Sequence, residues 1–227
     1  MKTALTLLLA LAGASTTVLA DDIKGDANAG HGKAAMCIGC HGIVGYQASF
    51  PEVYKVPMIA GQGGKYIVSA LTAYAKGDRK HPTMRSIAAS LSEQDMADLA
   101  AFYEAQGKTA GGEPAPAALA KPAPDALKDR MAACVACHGP NFSAPIDPTY
   151  PRLAGQHADY LYTTLKAYGM DGNPHMGRAN ATMRSQVMQE VDGKKKANFS
   201  NSELKQVANY LASLPSDLRV VPQSRFR

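Results

Sequence analysis

Two short segments of this sequence combine two thiols with an imidazole. Cys37, Cys40 and His41 form the first Cys-x-x-Cys-His segment, and the second consists of Cys134, Cys137 and His138. Two cysteines three residues apart lie on one turn of a helix, so their thiols face the same side. Such thiols can form a redox disulfide, bind zinc, or add to the two vinyl groups of a haem whose iron the adjacent His then ligates.

Covalent attachment of haem is the interpretation that fits both segments. A thioredoxin-like redox pair requires one Cys-x-x-Cys beside a βαβ pattern, and the sequence has no such strand pattern. A structural zinc site would use four thiolates together and would not require a His after each pair. Cys-x-x-Cys-His is the spacing of c-type haem attachment. The sequence therefore predicts two covalently attached haem c groups, which use all four cysteines of the chain.

The N-terminal residues predict export to the periplasm. Lys2 precedes an apolar stretch at residues 4–14, and Ala20 comes directly before Asp21. This pattern is typical of a secretory signal peptide, here residues 1–20 with cleavage after Ala20. A buried or membrane-anchoring first helix is the alternative, but the apolar stretch is shorter than the roughly 20 residues that span a bilayer.

The second half of the chain repeats the first. The matching segments occur in the same order, 97, 94 and 99 residues apart. They are the two Cys motifs, the Pro-x-x-Ala-Gly-Gln segments at residues 57–62 and 151–156, and the Thr-Met-Arg-Ser segments at residues 83–86 and 182–185. A stretch rich in Gly, Pro and Ala separates the copies and predicts an extended linker. We therefore predict two tandem domains, at residues 21–118 and 119–227.

Each copy is predicted to be helical. The predicted helices span residues 26–36, 65–76, 92–106 and 200–214. Ser92 and Ser200 are candidate N-caps, with Asp95 and Glu203 placed to complete capping boxes. Since no alternating strand pattern is present, the predicted fold class is all-α.

The charge of the chain does not predict nucleic-acid binding. The formal net charge is +5, and the basic residues are unclustered apart from Lys194, Lys195 and Lys196. The half between the signal peptide and Ala118 carries −1, whereas the half after Ala118 carries +5. This difference predicts an electrostatic dipole that orients the protein towards its partners.

Met84 and Met183 are the candidate second axial ligands of the two irons. Only these two of the ten methionines occupy equivalent positions in the repeated tetrapeptide, 43 and 45 residues after His41 and His138. Met ligation closes the iron and favours electron transfer, whereas an open position would admit substrates. The alternatives are Met176 and Met188 for the second site and, less favoured, Met58, Met170, His81 and His175.

Two further pairs of repeated residues are candidates for contacts around each haem. The carbonyls of Pro57 and Pro151 can accept a hydrogen bond from the second ring nitrogen of the ligating His, which fixes its orientation. Arg85 and Arg184 follow the candidate Met ligands and can contact haem propionates, or else face solvent.

On these motifs, each copy resembles a class I cytochrome c domain, and the tandem chain resembles the di-haem cytochrome c4 family. The resemblance implies His/Met ligation, a Pro carbonyl bonded to each His, and a crossing of the first and last helices at a small residue. Gly30 matches that residue, whereas Leu127 departs from it in the second copy. The segment from Met183 to Ser200 is also nine residues longer than its counterpart.

The expected function is periplasmic electron transfer without catalytic turnover. The resemblance implies electrons arriving from a quinol-oxidising complex and leaving to a terminal haem–copper oxidase, which is compatible with peripheral association with the membrane. One alternative is the di-haem cytochrome subunit of a flavocytochrome c sulfide dehydrogenase or a similar sulfur-oxidising enzyme. Another is a di-haem enzyme of thiosulfate or peroxide chemistry, in which one haem lacks Met ligation.

Overall fold

Helices dominate the part of the chain that the computed structural model describes, which is residues 23–107 and 122–222. The predicted signal peptide, its cleavage site after Ala20 and the domain boundary at Ala118 lie outside these residues. Within them, no helix has both the length and the apolar character needed to cross a membrane.

The N-terminal domain, residues 23–107, contains five helices among its described residues. They are α1 (Ala27–Lys33), α2 (Ala35–His41), α3 (Gly64–Lys76), α4 (Pro82–Ala89) and α5 (Glu93–Ala105). Three two-residue strands accompany them: β1 (Gln47–Ala48), β2 (Tyr54–Lys55) and β3 (Arg79–Lys80). β1 pairs with β2 in antiparallel orientation.

The C-terminal domain, residues 122–222, repeats much of this order. Its helices are α6 (Ala132–His138), α7 (Ala158–Gly169), α8 (Ala181–Val187) and α9 (Asn201–Ala212). Its strands are β4 (Gly177–Arg178), β5 (Met188–Val191) and β6 (Lys194–Ala197). Each domain has its own cluster of buried apolar residues, the first built around Leu99 and the second around Leu127 and Phe142.

The predicted capping boxes are confirmed. The Ser92 hydroxyl accepts from the Asp95 N–H and the Asp95 carboxylate accepts from the Ser92 N–H; Ser200 and Glu203 make the same pair of bonds. The helix predicted at residues 26–36 is instead two helices that meet at Ala34.

The first and last helices of the N-terminal domain cross at Gly30. A Cβ at this position would lie 2.1 Å from the Asp98 carbonyl oxygen and 2.8 Å from the Phe102 Cβ, so only glycine permits this approach. In the C-terminal domain, turns replace most of the first helix, and Leu127 is buried against α9. The crossing predicted from Gly30 is thus present in one domain, and a large apolar side chain fills the equivalent space in the other.

Short strands add two features that the all-α prediction does not contain. β3 and β4 pair with each other across the two domains, with Arg79 opposite Arg178. β5 and β6 form a hairpin within the segment that is longer in the second copy. Lys194, Lys195 and Lys196, the basic cluster noted in the sequence, therefore lie on an exposed strand of this hairpin.

Candidate haem sites

One cavity of about 510 Å³ extends through both domains. All eight residues predicted from the two haem motifs line it: Cys37, Cys40, His41 and Met84 from the N-terminal domain, and Cys134, Cys137, His138 and Met183 from the C-terminal domain. Its remaining lining is largely apolar and aromatic, which suits the ring of a haem. The structure therefore brings together residues that lie more than 40 positions apart within each copy.

Each motif histidine is bonded to the predicted proline carbonyl. The His41 Nδ1 lies 2.8 Å from the Pro57 oxygen, and the His138 Nδ1 lies 3.0 Å from the Pro151 oxygen. A carbonyl can only accept, so Nδ1 carries the proton and Nε2 keeps the lone pair that can bind iron. Burial lowers the pKa of both His41 and His138. Both imidazoles are therefore neutral near pH 7, which is the form that ligates a metal.

The four cysteines lie in the two predicted attachment segments, and none of them takes part in a disulfide. Cys37 and Cys40 both lie on α2, and Cys134 and Cys137 both lie on α6. Burial raises the pKa of Cys37 and Cys134. Neither pair forms a disulfide, so all four thiols can form thioether bonds.

Met84 and Met183 occupy equivalent places in the first turns of α4 and α8. The Met84 N–H donates to the His81 Nδ1 at 3.3 Å, and the Met183 N–H donates to the Asn180 side-chain oxygen at 2.8 Å. His81 and Asn180 are the N-caps of these helices. His81, considered in the sequence as an alternative ligand, therefore has a structural counterpart in the second copy and serves as a helix cap.

Of the alternative methionines, Met170, Met176 and Met188 do not line the cavity. Met36, Met58 and Met131 do line it, but their equivalents in the other copy are Ala133, Arg152 and Ala34. Within residues 23–107 and 122–222, Met84 and Met183 are thus the only methionines that both line the cavity and occupy equivalent positions in the two copies.

Arg79 and Arg178, rather than Arg85 and Arg184, line the cavity. Arg184 instead makes a bidentate ion pair with Asp171, at 2.9 and 2.7 Å. Arg85 is exposed at the surface. Of the two alternatives that the sequence left open, Arg85 therefore follows the solvent-facing one, and Arg184 pairs with a surface carboxylate.

Of the three arginines that line the cavity, Arg79 and Arg178 lie among tyrosines. The Arg79 guanidinium lies 5.2 Å from the ring centre of Tyr66, and the Arg178 guanidinium lies 5.5 Å from that of Tyr168. Arg178 also donates to the Tyr160 hydroxyl at 3.0 Å. Neither arginine has a carboxylate partner within the described parts of the chain. Two partly buried cations without an anion fit a ligand that carries carboxylates, as haem does in its propionates.

The comparisons with known proteins agree with this site. The Cytochrome c family model matches residues 29–106 and 128–215, one match for each domain. Cytochrome c4 from Azotobacter vinelandii is 33% identical over 94% of this chain and 99% of its own length. The chain belongs to the cytochrome c4 family.

Two further proteins are similar to this cytochrome c4 family member over most of their length. The crystal structure of reduced recombinant cytochrome c4 from Pseudomonas stutzeri is 29% identical and has a TM-score of 0.57, covering 84% of this chain and 100% of that one. A thiosulfate dehydrogenase electron acceptor from Stutzerimonas stutzeri is 33% identical over 76% of this chain and 83% of its own length.

Membership of the cytochrome c4 family establishes the cofactor and the general function. The protein carries two covalently bound haem c groups, one in each of two tandem cytochrome c domains, and transfers electrons with redox protein partners. This confirms the predicted family, fold class and cofactor.

Sequence reasoning missed Arg79 and Arg178 as cavity residues of this cytochrome. They are 99 residues apart, the same offset that relates the two Thr-Met-Arg-Ser segments. Extending the repeat by four residues towards the N-terminus would have found them. Their tyrosine neighbours are repeat pairs as well, Tyr66 with Tyr160 and Tyr74 with Tyr168, at the same offset of 94 residues as the Pro-x-x-Ala-Gly-Gln segments.

Proposed function

We propose that the first haem is bound covalently by Cys37 and Cys40 and the second by Cys134 and Cys137. The proposed axial pairs are His41 with Met84 and His138 with Met183. The observation that carries this assignment is that each set lines the cavity while each His Nδ1 is already bonded to a proline carbonyl. Each Nε2 is therefore left available for iron.

Arg79 and Arg178 would hold haem propionates at the boundary between the domains. Both guanidiniums line the shared cavity and stay protonated at all physiological pH values. Their hydrogen bonds to Tyr66 and Tyr160 fix their orientation. This arrangement would neutralise carboxylate charge at a partly buried site.

The function that follows is electron transfer without a catalytic step of its own. A haem iron with two axial ligands exchanges electrons with little rearrangement and offers no open position to a substrate. Because one cavity is lined by both ligand sets, an electron can pass between the two haems inside the protein. The chain then acts as a two-electron store or as a relay between two partners.

The proposed cellular place is the periplasm, after removal of residues 1–20. There the protein would take electrons from a quinol-oxidising membrane complex and deliver them to a terminal haem–copper oxidase. The formal charges of −1 and +5 on the two halves support different partners at the two ends.

A second candidate is the electron acceptor of a sulfur-oxidising enzyme. The observation that favours it is the relative named as a thiosulfate dehydrogenase electron acceptor, at 33% identity. In that role the two haems would receive electrons from the enzyme directly.

Optical redox titration tests the ligand assignment. We expect Met84→Ala and Met183→Ala each to remove about half of the long-wavelength Met–iron absorption band of the oxidised protein. Met58→Ala is the matched control, because Met58 lines the same cavity without a methionine equivalent. A full band in either ligand variant, or a loss in the control, would contradict the assignment.

Rapid mixing separates the two functional candidates. The reduced protein should be oxidised quickly by membranes that contain a terminal oxidase, and the rate should fall with ionic strength. Reduction that depends on a thiosulfate-oxidising enzyme, together with slow oxidation by such membranes, would favour the second candidate.

A further inference from the structure

Two buried glutamines connect the domains through matching sets of hydrogen bonds. Gln62 and Gln156 are only 3% and 4% exposed, and they end the two Pro-x-x-Ala-Gly-Gln segments. Each reaches into the other domain and bonds the backbone of a single residue there. The repeated segment, recognised in the sequence without a function for its Gln, therefore has the same interdomain role in both copies.

The bonds form two closed pairs. The Gln156 Oε1 accepts from the Met58 N–H at 3.0 Å, and the Gln156 Nε2 donates to the Met58 carbonyl at 2.8 Å. In the other direction, the Gln62 Oε1 accepts from the Arg152 N–H at 2.8 Å, and the Gln62 Nε2 donates to the Arg152 carbonyl at 3.0 Å. Both polar ends of each side-chain amide are thus bonded to the other domain.

The peptide group held by each glutamine is the one that contacts a haem histidine. The carbonyl of Pro57 and the N–H of Met58 belong to one planar peptide unit. Its oxygen accepts from His41, and its N–H donates to Gln156. The peptide between Pro151 and Arg152 is held in the same way, by His138 on one side and Gln62 on the other.

Fixing a peptide at both ends affects the histidine in two ways. It stops rotation of the peptide plane, which would carry the carbonyl away from the imidazole. A bond to the N–H also polarises the same peptide unit, which makes its oxygen a stronger acceptor. A stronger acceptor on Nδ1 makes the imidazole a more basic ligand through Nε2.

Each glutamine is also anchored in its own domain. The Gln62 Oε1 accepts from the Gly63 N–H at 3.1 Å, and the Gln156 Oε1 accepts from the His157 N–H at 3.0 Å. Gly63 and His157 are the N-caps of α3 and α7. The bond to the opposite histidine peptide therefore starts from a fixed helix end rather than from a mobile loop.

We propose that Gln62 and Gln156 are positioning residues that act across the domain boundary, Gln156 on the His41 ligand and Gln62 on the His138 ligand. The proposal rests on the assignment of these histidines as axial ligands. It means that the histidine geometry of each haem depends on docking of the other domain, so a change in docking alters both sites.

The test follows the two ring Nδ1–H protons of the reduced, haem-loaded protein by NMR as they exchange with deuterium. In Gln156→Ala, we expect exchange at His41 to be about tenfold faster, the effect of losing one net hydrogen bond, and exchange at His138 to be unchanged. Gln62→Ala should give the reverse. Gln189→Ala, at an exposed position of β5, is the matched control and should alter neither proton.

Three results would overturn the proposal. Equal acceleration of both protons would mean that the glutamines only hold the domains together. Acceleration confined to the domain of the substituted residue, or none at all, would exclude an action across the boundary. The Met–iron band reports ligation separately, so an intact band with unchanged exchange contradicts this proposal and not the ligand assignment.

Discussion

Arg79 and Arg178 are direct partners in the two-residue ladder that joins the domains. Their Cα atoms pair in the antiparallel register of β3 and β4, and both side chains line the cavity that the haem motifs share. Two like charges placed opposite each other repel, so an anion between or beside them would stabilise this pairing. The relationship therefore supports the proposal that the haem propionates lie at the domain boundary.

Removing either charge is expected to lower the reduction potential of the haems. A nearby cation disfavours the oxidised iron, which carries one more positive charge than the reduced iron. Arg79→Gln or Arg178→Gln should therefore stabilise the oxidised form, by on the order of 1 kcal/mol at the effective dielectric of a partly buried site. The measurement is an optical redox titration. Arg85→Gln, at an exposed arginine, is the control, and an equal shift there would refute a specific role for the cavity pair.

Substituting Gly30 is expected to destabilise the N-terminal domain. The added Cβ of Gly30→Ala would lie 2.1 Å from the Asp98 carbonyl oxygen, so α1 must move away from α5. Overpacking of this kind lowers the free energy of unfolding by about 1–3 kcal/mol. Urea unfolding followed by far-UV circular dichroism measures the loss.

Gly32 provides the matched control on the same helix. A Cβ there would meet nothing within 4 Å. Gly32→Ala should leave the free energy of unfolding unchanged or raise it by about 0.5–1 kcal/mol, since alanine is the better helix former. Equal destabilisation by both substitutions would mean that the helix crossing does not select the glycine.

Asp98 is expected to make the stability of the N-terminal domain depend on acid pH. Its buried carboxylate accepts from the Lys33 ammonium at 2.6 Å and from the Asp26 N–H at 2.8 Å. These contacts lower the pKa of Asp98, and the hydrogen bond from Lys33 makes the largest contribution. A lowered pKa gives stability that is fully present above the unfolded value of about 3.9 and is lost as the pH falls through the folded value.

The variant Asp98→Asn should therefore be less stable than the wild type near pH 7, and the difference should shrink below about pH 4. Urea unfolding at a series of pH values measures it. Asp171→Asn is the control. Its Arg184 pair likewise lowers the pKa of Asp171, to about 2, but the side chain is exposed and solvent screens the interaction. If Asp98→Asn lowered the free energy of unfolding by the same amount at every pH, the side chain would contribute through its shape and not through its charge.

Local chemistry explains what the sequence predicts well. The spacing of Cys37, Cys40 and His41 lies within one helical turn, and the capping box that begins at Ser92 lies within four residues. The bond from His41 to Pro57 spans sixteen residues, but the second copy supports it independently. Patterns within one element, or repeated in both copies, need no knowledge of how the domains dock.

Features that depend on docking are the ones that sequence patterns leave out. β3 is two residues long and exists because β4 of the other domain pairs with it, so no periodicity predicts it. No sequence pattern identifies the interdomain role of Gln62 either, because its partner Arg152 lies 90 residues away in the other domain. The hairpin of β5 and β6 is missing from the all-α prediction for a different reason. Its lysine-rich second strand has no apolar face, so it lacks the alternating pattern that predicts a strand.

The lysines of this hairpin are expected to control how fast the protein reacts with anionic partners. Lys195 reaches the Asp171 carboxylate, whereas Lys194 and Lys196 alternate to the opposite side of the exposed strand. In the variant that combines Lys194→Glu and Lys196→Glu, we expect oxidation of the reduced protein by hexacyanoferrate(III) to slow severalfold at low ionic strength. The difference should vanish at high salt, because screening removes the steering of an anionic oxidant.

The matched control for the hairpin places the same charge change on the N-terminal domain, as Lys24→Glu with Lys76→Glu. Both variants have the same net charge, so equal slowing by the two would mean that total charge, and not the hairpin, steers the oxidant. Stopped-flow absorbance at several salt concentrations distinguishes these results. A larger effect of the hairpin variant would show that the additional segment of the second copy steers an anionic oxidant.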